Sequence, residues 1–459
     1  MANSVLGDLG LIIERLESRG RLIRVTSEVE SGHDLAGIAA RLEAGSAAVL
    51  FEKVKGANFP VFVGLYWSRD LLADLFDLPA GGLPSFVSGC ISRWQKSPVP
   101  PVVRSTGPVL EMTETEVDLN RLPIPLHALK DGGPYIDAGV VIAHDPETGV
   151  RNASIQRFMV VDKQTLAINI DAGRHLEVYL NKAARQGRSL YFTLNIGVGP
   201  SLHFAAATPA EAAPIDSDEL GIASEFEGSA VELVPGTISD VEMIAKAMFA
   251  LECEIIPGEL HTEGPFAEVT GFYAKVDRRP LVRVRKIHHR RQPVFHTILS
   301  GAEVWNSVGL LGEANVLALV QRQVPGVKDV YFSHGGCGFY HAIVQMRPVR
   351  NGWSKQAIMA TFAAFPPLKM VTVVDDDVDI RNARDIEWAM TNRLDPVKGI
   401  LRIEDCFGHG LNPGFPDYLG CKVGFDCTRP VPYDPGDDRI SYKPVDLADH
   451  VLRRTPAKG

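Results

Sequence analysis

Several things are missing from this chain, and each absence narrows what it can be. No C-x-x-C pair occurs: Cys90, Cys253, Cys337, Cys406, Cys421 and Cys427 are scattered over 459 residues. That argues against a thiolate zinc site or a disulfide framework and points to reduced thiols in a cytosolic protein. Positive charge is not in excess, with 47 lysines and arginines against 56 aspartates and glutamates. The net charge of -9 argues against a nucleic-acid binder, which would carry a basic face, although a local cationic pocket remains open. No apolar run reaches membrane-spanning length, and the first ten residues show no basic stretch followed by an apolar core. A cytoplasmic protein with neither membrane nor nucleic acid as partner is expected. There is no internal repeat.

What is present is ordinary globular material, 45% hydrophobic and 22% charged, long enough for two or three domains. Leu9, Ile12, Ile13 and Leu16 fall at helical spacing, with Gly20 closing the helix. A strand at Leu22–Val25, a helix over Asp34–Leu42 and a strand at Ala48–Phe51 complete a small α/β unit, and Pro98, Pro100 and Pro101 mark a linker. From about 115 to 300 strands dominate: Gly139–Ala143, Ser154–Val161, Leu190–Leu194, Glu268–Val276 and Leu281–Val284. Asp145–Gly149 reads as a tight turn between two of them, and Arg174–Gln186 as a helix on the sheet. A barrel-like β core fits this pattern. A long helix over Val304–Gln323 follows. Beyond it strands and helices alternate: Val327–Phe332, Ala342–Met346, Lys355–Ala364, Lys369–Val374 and Ile386–Met390. The tail after Thr428 is rich in proline and aspartate and reads as a docking arm.

Four short segments carry chemistry. In Ser154–Val161 strand alternation places Ile155, Arg157, Met159 and Val161 on one face. An arginine among apolar neighbours needs a carboxylate, an anionic ligand or an edge position that reaches water. Glu263-Gly-Pro-Phe-Ala-Glu268 offers two glutamates flanking a bend made by Gly264 and Pro265. One, paired with an arginine, would stay ionised; the other, in a drier setting, would hold a proton to deliver. The alternative is two solvated turn glutamates. Asn152, His175 and one of Asp216, Asp218 or Glu219 form a set of amide, imidazole and carboxylate donors suited to Mn²⁺ or Mg²⁺. Lys422 lies in Gly420-Cys-Lys-Val-Gly424, where small residues would let a phosphate approach. A regular pleat puts Asn152 and Arg157 on opposite faces, so a bulge or an early strand start is needed if both serve one site.

In this order the segments resemble the UbiD family of reversible decarboxylases. The family's Asn-x-Ser-Ile/Gly-x-Arg, the histidine opening a helix, Glu-Gly-Pro-Phe/Tyr-Gly/Ala-Glu/Asp and Gly-x-Lys have counterparts here at Asn152–Arg157, His175, Glu263–Glu268 and Lys422. Asp118–Pro125, Asp131–Tyr135, Asp375–Asp379 and Trp388–Arg393 are similar as well. The resemblance implies an α/β (α+β) protein. A small N-terminal α/β unit (1–112) precedes a split β-barrel holding prenylated FMN (113–302). A linker helix (303–325) then leads to a C-terminal oligomerisation domain with its tail (326–459).

It also implies a divalent metal, Mn²⁺ or Mg²⁺, on Asn152, His175 and Glu219, with K⁺ nearby. Asn152, Ser154, Ile155, Gln156, Arg157, Arg174, His175, Ala206, Ala207, Thr208 and Lys422 match cofactor-contacting positions. Arg157, Glu263 and Glu268 match a catalytic network in which Glu268 protonates the product carbon after CO₂ leaves a covalent adduct with the prenylated flavin. Arg174 stands where some relatives have glutamine. A flavin prenyltransferase would supply the cofactor, and a homodimer or homohexamer is expected.

His296, in a segment rich in imidazole and guanidinium, resembles the branch acting on pyrrole-2-carboxylate, furoate or indole carboxylate. His334 and Phe339 are further pocket candidates. Glu303-Val304 stand where an arginine for a second carboxylate would be sought, which weighs against a furan dicarboxylate. Alternative substrates are a hydroxybenzoate, including the polyprenyl intermediate, or an acrylic acid. An ordinary flavin oxidoreductase and a non-catalytic assembly subunit are the readings from other classes.

Overall fold

The computed structural model describes residues 4–79, 81–114, 116–171 and 173–443. The end of the expected docking arm, 444–459, lies outside them. Its beginning is bound to the body. Arg439 lies over the Trp388 ring at 4.1 Å and reaches Asp385 at 2.6 Å.

A helix Leu9–Ser18, capped by the Asp8 side chain, opens the N-terminal unit. Leu22–Val29 pairs in parallel with Ala48–Val54, which runs antiparallel to Val61–Val63. The fourth strand of this sheet is Phe295–His296, contributed from far along the chain. Helices Arg69–Leu75 and Leu83–Lys96 close the unit.

The central sheet has nine strands. Along its main path the order is Tyr135–Ile136, Arg157–Val160, Thr165–Asn169, Asp277–His289, Phe249–Glu263, Leu190–Ile196, Val140–His144 and Arg151–Ile155. Met112–Glu114 adds to Asp277–His289 off that path. The expected Ser154–Val161 strand is in fact two strands separated by Gln156 alone, and the halves pair at opposite ends of the sheet. In a flat sheet those ends would lie about 29 Å apart, six spacings of about 4.8 Å. One intervening residue spans only about 7 Å. The sheet therefore has to curl until its ends meet at Gln156, which makes the half-barrel. The break also resets the pleat, so Asn152 and Arg157 need no bulge to serve one region.

Two expectations are corrected here. Glu268–Val276 is not one strand: Glu268–Phe272 form a tight loop between the short strands Phe266–Ala267 and Tyr273–Ala274, because Glu268 N–H donates to Phe272 O and Gly271 N–H to Glu268 O. The barrel also carries more helix than expected, with Pro200–Ala206 and Leu220–Glu227 beside His175–Arg185.

The long helix runs from Ala302 to Gln323 with a π-helical turn at Trp305–Gly309. The C-terminal sheet follows in the order Val327–Phe332, His341–Met346, Met370–Asp375, Leu419–Cys427, Ile400–Phe407. Among the described residues no helix is long and apolar enough to cross a membrane.

Candidate active site

A cavity of about 320 Å³ opens between the barrel and the C-terminal unit. The barrel wall supplies Asn152, Ser154, Ile155, Gln156, Arg174, His175, Ala206, Ala207, Thr208 and Glu219; the opposite wall supplies Val308, Phe339, Phe365, Pro367 and His409. Residues from three separate stretches of the barrel thus meet where the sheet closes. Ser154 and Ile155 end one half-strand, Gln156 crosses the seam, and Arg174 and His175 open the helix His175–Arg185. Ala206, Ala207 and Thr208 form the C-terminal turn of Pro200–Ala206, where the Thr208 hydroxyl donates to Phe204 O at 2.9 Å.

Deep in this wall Asn152, His175 and Glu219 come together. Asn152 Nδ2 donates to Glu219 Oε1 at 2.8 Å and lies 3.2 Å from His175 Nδ1. Glu219 Oε2 accepts from Ala153 N–H at 2.9 Å. Burial pushes the Glu219 carboxyl up, against its contact with His175. Asn152 Oδ1 is buried and has no hydrogen-bond partner. An orphaned amide oxygen beside a carboxylate and an imidazole is the donor chemistry of a hard divalent cation. Among the described residues no three His, Cys, Asp or Glu side chains gather as metal ligands, and here an amide is the third donor. The neighbouring acids point elsewhere. Asp218 is tied to Arg151, and Asp216 lines a different groove with Trp94 and Pro98.

The arginine and the two glutamates also meet. Arg157 Nε and Nη2 donate to Glu263 at 3.0 and 3.2 Å, and Nη1 donates to Glu268. The guanidinium lies over the Phe266 ring at 5.2 Å. The Tyr135 hydroxyl donates to Glu263 Oε1 at 3.0 Å. Burial works against the Arg157 charge, but the two glutamates outweigh it and hold its pKa above the usual value. Burial pushes the Glu268 carboxyl up, opposed by Arg157. The network abuts the cavity through Gln156 and through Asp171, whose charge also acts on Glu268.

The bend between the glutamates is pinned by the segment before Tyr135. Asp131 Oδ1 accepts from Ala267 N–H at 2.8 Å, and Gly132 N–H donates to Pro265 O at 2.8 Å. A Cβ on Gly132 would lie 2.2 Å from Gly264 O, so no other residue fits there.

Of the expected residues, Arg157, Glu263 and Glu268 do not themselves line this cavity, and neither do Lys422, His296 and His334. The Lys422 ammonium donates to Pro366 O at 2.5 Å, behind the wall formed by Phe365 and Pro367. His296 is fully buried among Phe62, Tyr66 and His203, and neither ring nitrogen has a partner. Burial and the nearby His203 depress its pKa well below the usual value. His334 packs on the Trp305 ring and contacts Asn306 Oδ1 at 3.2 Å. Sequence reasoning gave no role to Tyr135, Asp171 or His409. His409 meets the Tyr340 hydroxyl at 3.2 Å, a contact between separate stretches with no local signal.

Comparison with known proteins decides the family. Three models of the 3-octaprenyl-4-hydroxybenzoate carboxy-lyase match in succession: the N-terminal domain over 13–85, the Rift-related domain over 101–303 and the C-terminal domain over 306–427. The chain belongs to the UbiD family. A Rhodospirillum rubrum protein described as the "uncharacterized protein in cooM 5'region" is 70% identical over 96% of each chain. The anhydromevalonate phosphate decarboxylase of Methanothermobacter thermautotrophicus is 36% identical, covering 83% of this chain and 88% of its own. The structure of the UbiD-class enzyme HmfF from Pelotomaculum thermopropionicum in complex with FMN superposes with a TM-score of 0.92 at 36% identity, covering 97% of this chain and 100% of that one. An evolved dimeric form of HmfF, in complex with prFMN, gives 0.88 at 35% identity, with 97% and 100% covered. This UbiD protein is accordingly a prenylated-FMN-dependent carboxy-lyase.

Proposed function

We propose that this UbiD enzyme reversibly decarboxylates a small aromatic or heteroaromatic acid, of the pyrrole-2-carboxylate, furoate or indole carboxylate type. The observation that carries the reading is one arginine shared by two unequal carboxylates beside a cavity lined by a hard-cation donor set. In this reading Asn152, His175 and Glu219 hold Mn²⁺ or Mg²⁺ against the flavin phosphate. Ser154, Ile155, Gln156, Arg174 and the Ala206–Thr208 turn form the rest of the cradle, with K⁺ at that turn. Lys422 would have to leave Pro366 O to reach the phosphate. Residues 113–302 hold the cofactor, 303–325 link, and 326–459 meet a second copy in a homodimer or homohexamer. A flavin prenyltransferase supplies the cofactor.

When bound, the prenylated flavin supplies the electron sink that the departing carboxylate needs. The protein's own part is to bind, orient and protonate. Arg157 orients both glutamates and meets the substrate carboxylate. The carbon–carbon bond to CO₂ breaks, and the Glu268 carboxyl delivers its proton to the carbon left behind. Glu263 holds the countercharge on Arg157. Phe339 walls the ring site.

A second reading has a specific observation in its favour. Among the described residues Arg174 makes no ion pair, and it lines the cavity. A substrate with a second anionic group would use it, as would an unsaturated acid carrying a phosphate of the kind named in the Methanothermobacter relative.

A substrate panel separates the two. Flavin-loaded enzyme is incubated with pyrrole-, furan-, indole-, hydroxybenzoic and cinnamic acids and with anhydromevalonate phosphate, and substrate loss is followed by chromatography. Loss of a five-membered heteroaromatic acid is the expected result. Loss of the phosphorylated acid alone would replace the first reading with the second.

A further inference from the structure

The two glutamates on Arg157 are not equivalent, and the difference has a visible source. Glu263 is 0% exposed and accepts three hydrogen bonds, two from Arg157 and one from the Tyr135 hydroxyl. Glu268 has a side chain 12% exposed and a single side-chain donor, Arg157 Nη1. Tyr135 is itself fully buried, on a two-residue strand at the sheet's end, with its ring 4.4 Å from Phe266. Its approach is set by the same segment that pins the bend: Asp131 on Ala267 N–H, then Gly132 on Pro265 O, then Tyr135 on Glu263.

We propose that Tyr135 is a positioning residue of the decarboxylase: its hydroxyl fixes Glu263 as the standing anion on Arg157, which leaves Glu268 as the carboxyl that carries the proton. The inference rests on Glu268 being the proton donor. Hydrogen bonds donated to a carboxylate favour its charged form, against the opposing effect of burial. With Glu263 anionic, Arg157 is largely neutralised by it, and Glu268 is free to take up and release a proton. If Glu263 becomes neutral, the whole guanidinium charge falls on Glu268 and holds it ionised, unable to donate. The other groups facing the pair are few. Asp131 precedes Tyr135, Asp171 follows the strand Thr165–Asn169, and Tyr340 approaches from the C-terminal unit. Of these, Asp171 raises the proton affinity of Glu268. None of the three donates a hydrogen bond to Glu263, so none replaces the phenol.

The test is Tyr135→Phe in the full-length, flavin-loaded enzyme, read as kcat and KM against pH. Losing a hydrogen bond to a carboxylate raises its proton affinity. The acid limb of the kcat–pH profile therefore moves to higher pH. Flavin content and KM stay as in the parent enzyme. A parental kcat–pH profile with flavin bound would overturn the proposal. Should the phenylalanine variant not fold, 3-fluorotyrosine placed at 135 decides the matter. It keeps the ring and strengthens the donor, so the limb moves down, and an unmoved limb overturns the role. Glu268→Gln separates the two layers of argument. Normal turnover in that variant removes the donor reading and the Tyr135 role with it. A dead Glu268→Gln beside a parental Tyr135→Phe profile removes only the latter.

Discussion

Two arginine–carboxylate clusters in this molecule share out their hydrogen-bond donors differently. In the barrel one guanidinium, Arg157, serves two carboxylates, Glu263 and Glu268. In the C-terminal sheet one buried carboxylate, Asp375, serves two guanidiniums, Arg393 at 3.0 Å and Arg429 at 3.4 Å. Asp375 also accepts from Arg429 N–H at 2.9 Å and from the Tyr433 hydroxyl at 3.3 Å. In the barrel Glu268 is left with a single side-chain donor. In the C-terminal cluster Arg393, the Arg429 backbone N–H and the Tyr433 hydroxyl all donate to Asp375, while the two arginines also pair with Asp377 and Asp438, and these contacts tie chain segments together. Here they hold the start of the tail against the helix Ala383–Asn392. The number of donors that reach a carboxyl, more than its burial, distinguishes the two clusters.

The sharpest way to break the contrast is Glu268→Gln. Turnover is expected to fall by about 10²–10⁴-fold, the usual worth of a positioned proton donor, with flavin still bound and folding stability nearly unchanged. Parental turnover would place Glu268 with the structural acids. Next in size is the donor trio. Chelation, or Asn152→Ala, is expected to weaken flavin retention by at least about tenfold, read by flavin fluorescence after gel filtration. Full retention would mean that the orphaned Asn152 oxygen holds no cation.

Asp375→Asn should act in the reverse sense to Glu268→Gln. It leaves two guanidiniums short of a counter-ion, with Asp377 and Asp438 still in reach. A stability loss of about 2 kcal/mol in chemical denaturation is expected, with turnover unchanged. A loss of turnover would show that the tail cluster reaches the site.

The smallest effect concerns a third kind of acid, with no cation on it. Glu303 is fully buried and accepts only backbone N–H groups of Gly64, Tyr66 and Leu299. Burial pushes its carboxyl from 4.5 up to about 8. The folded state then binds the extra proton between those values, so Glu303's contribution to stability is intact at low pH and declines as pH rises through that window. Thermal melts should show this decline, and Glu303→Gln should flatten it. An unchanged slope in that variant would mean that Glu303 is ionised in the folded protein.

Local elements are the most legible part of the chain. The hairpin at Asp145–Gly149, the strand Val327–Phe332 and the helix opening at His175 follow from turn residues and periodicity within a few positions. The long strand Phe249–Glu263 is not legible in the same way, because Pro257 and Gly258 look like a break. The structure absorbs them as an irregularity between Ile255 and Leu260 opposite Asp277–His289. The helix Pro200–Ala206 escapes periodicity through its shortness, at seven residues. In the site, residue types and order point to Asn152, His175, Glu263 and Glu268. Nothing in the chain assigns a role to Tyr135, whose partner lies 128 positions away.

The sequence by itself determined the family, the reacting residue types and the local elements that carry them, because these depend on motifs and spacings of a few residues. Tertiary structure decided which groups meet. Arg157 and Glu263, 106 positions apart in the chain, meet on strands of the same sheet whose order the chain's local patterns do not give. It also decided how many side-chain hydrogen bonds reach each carboxyl, three at Glu263 and one at Glu268.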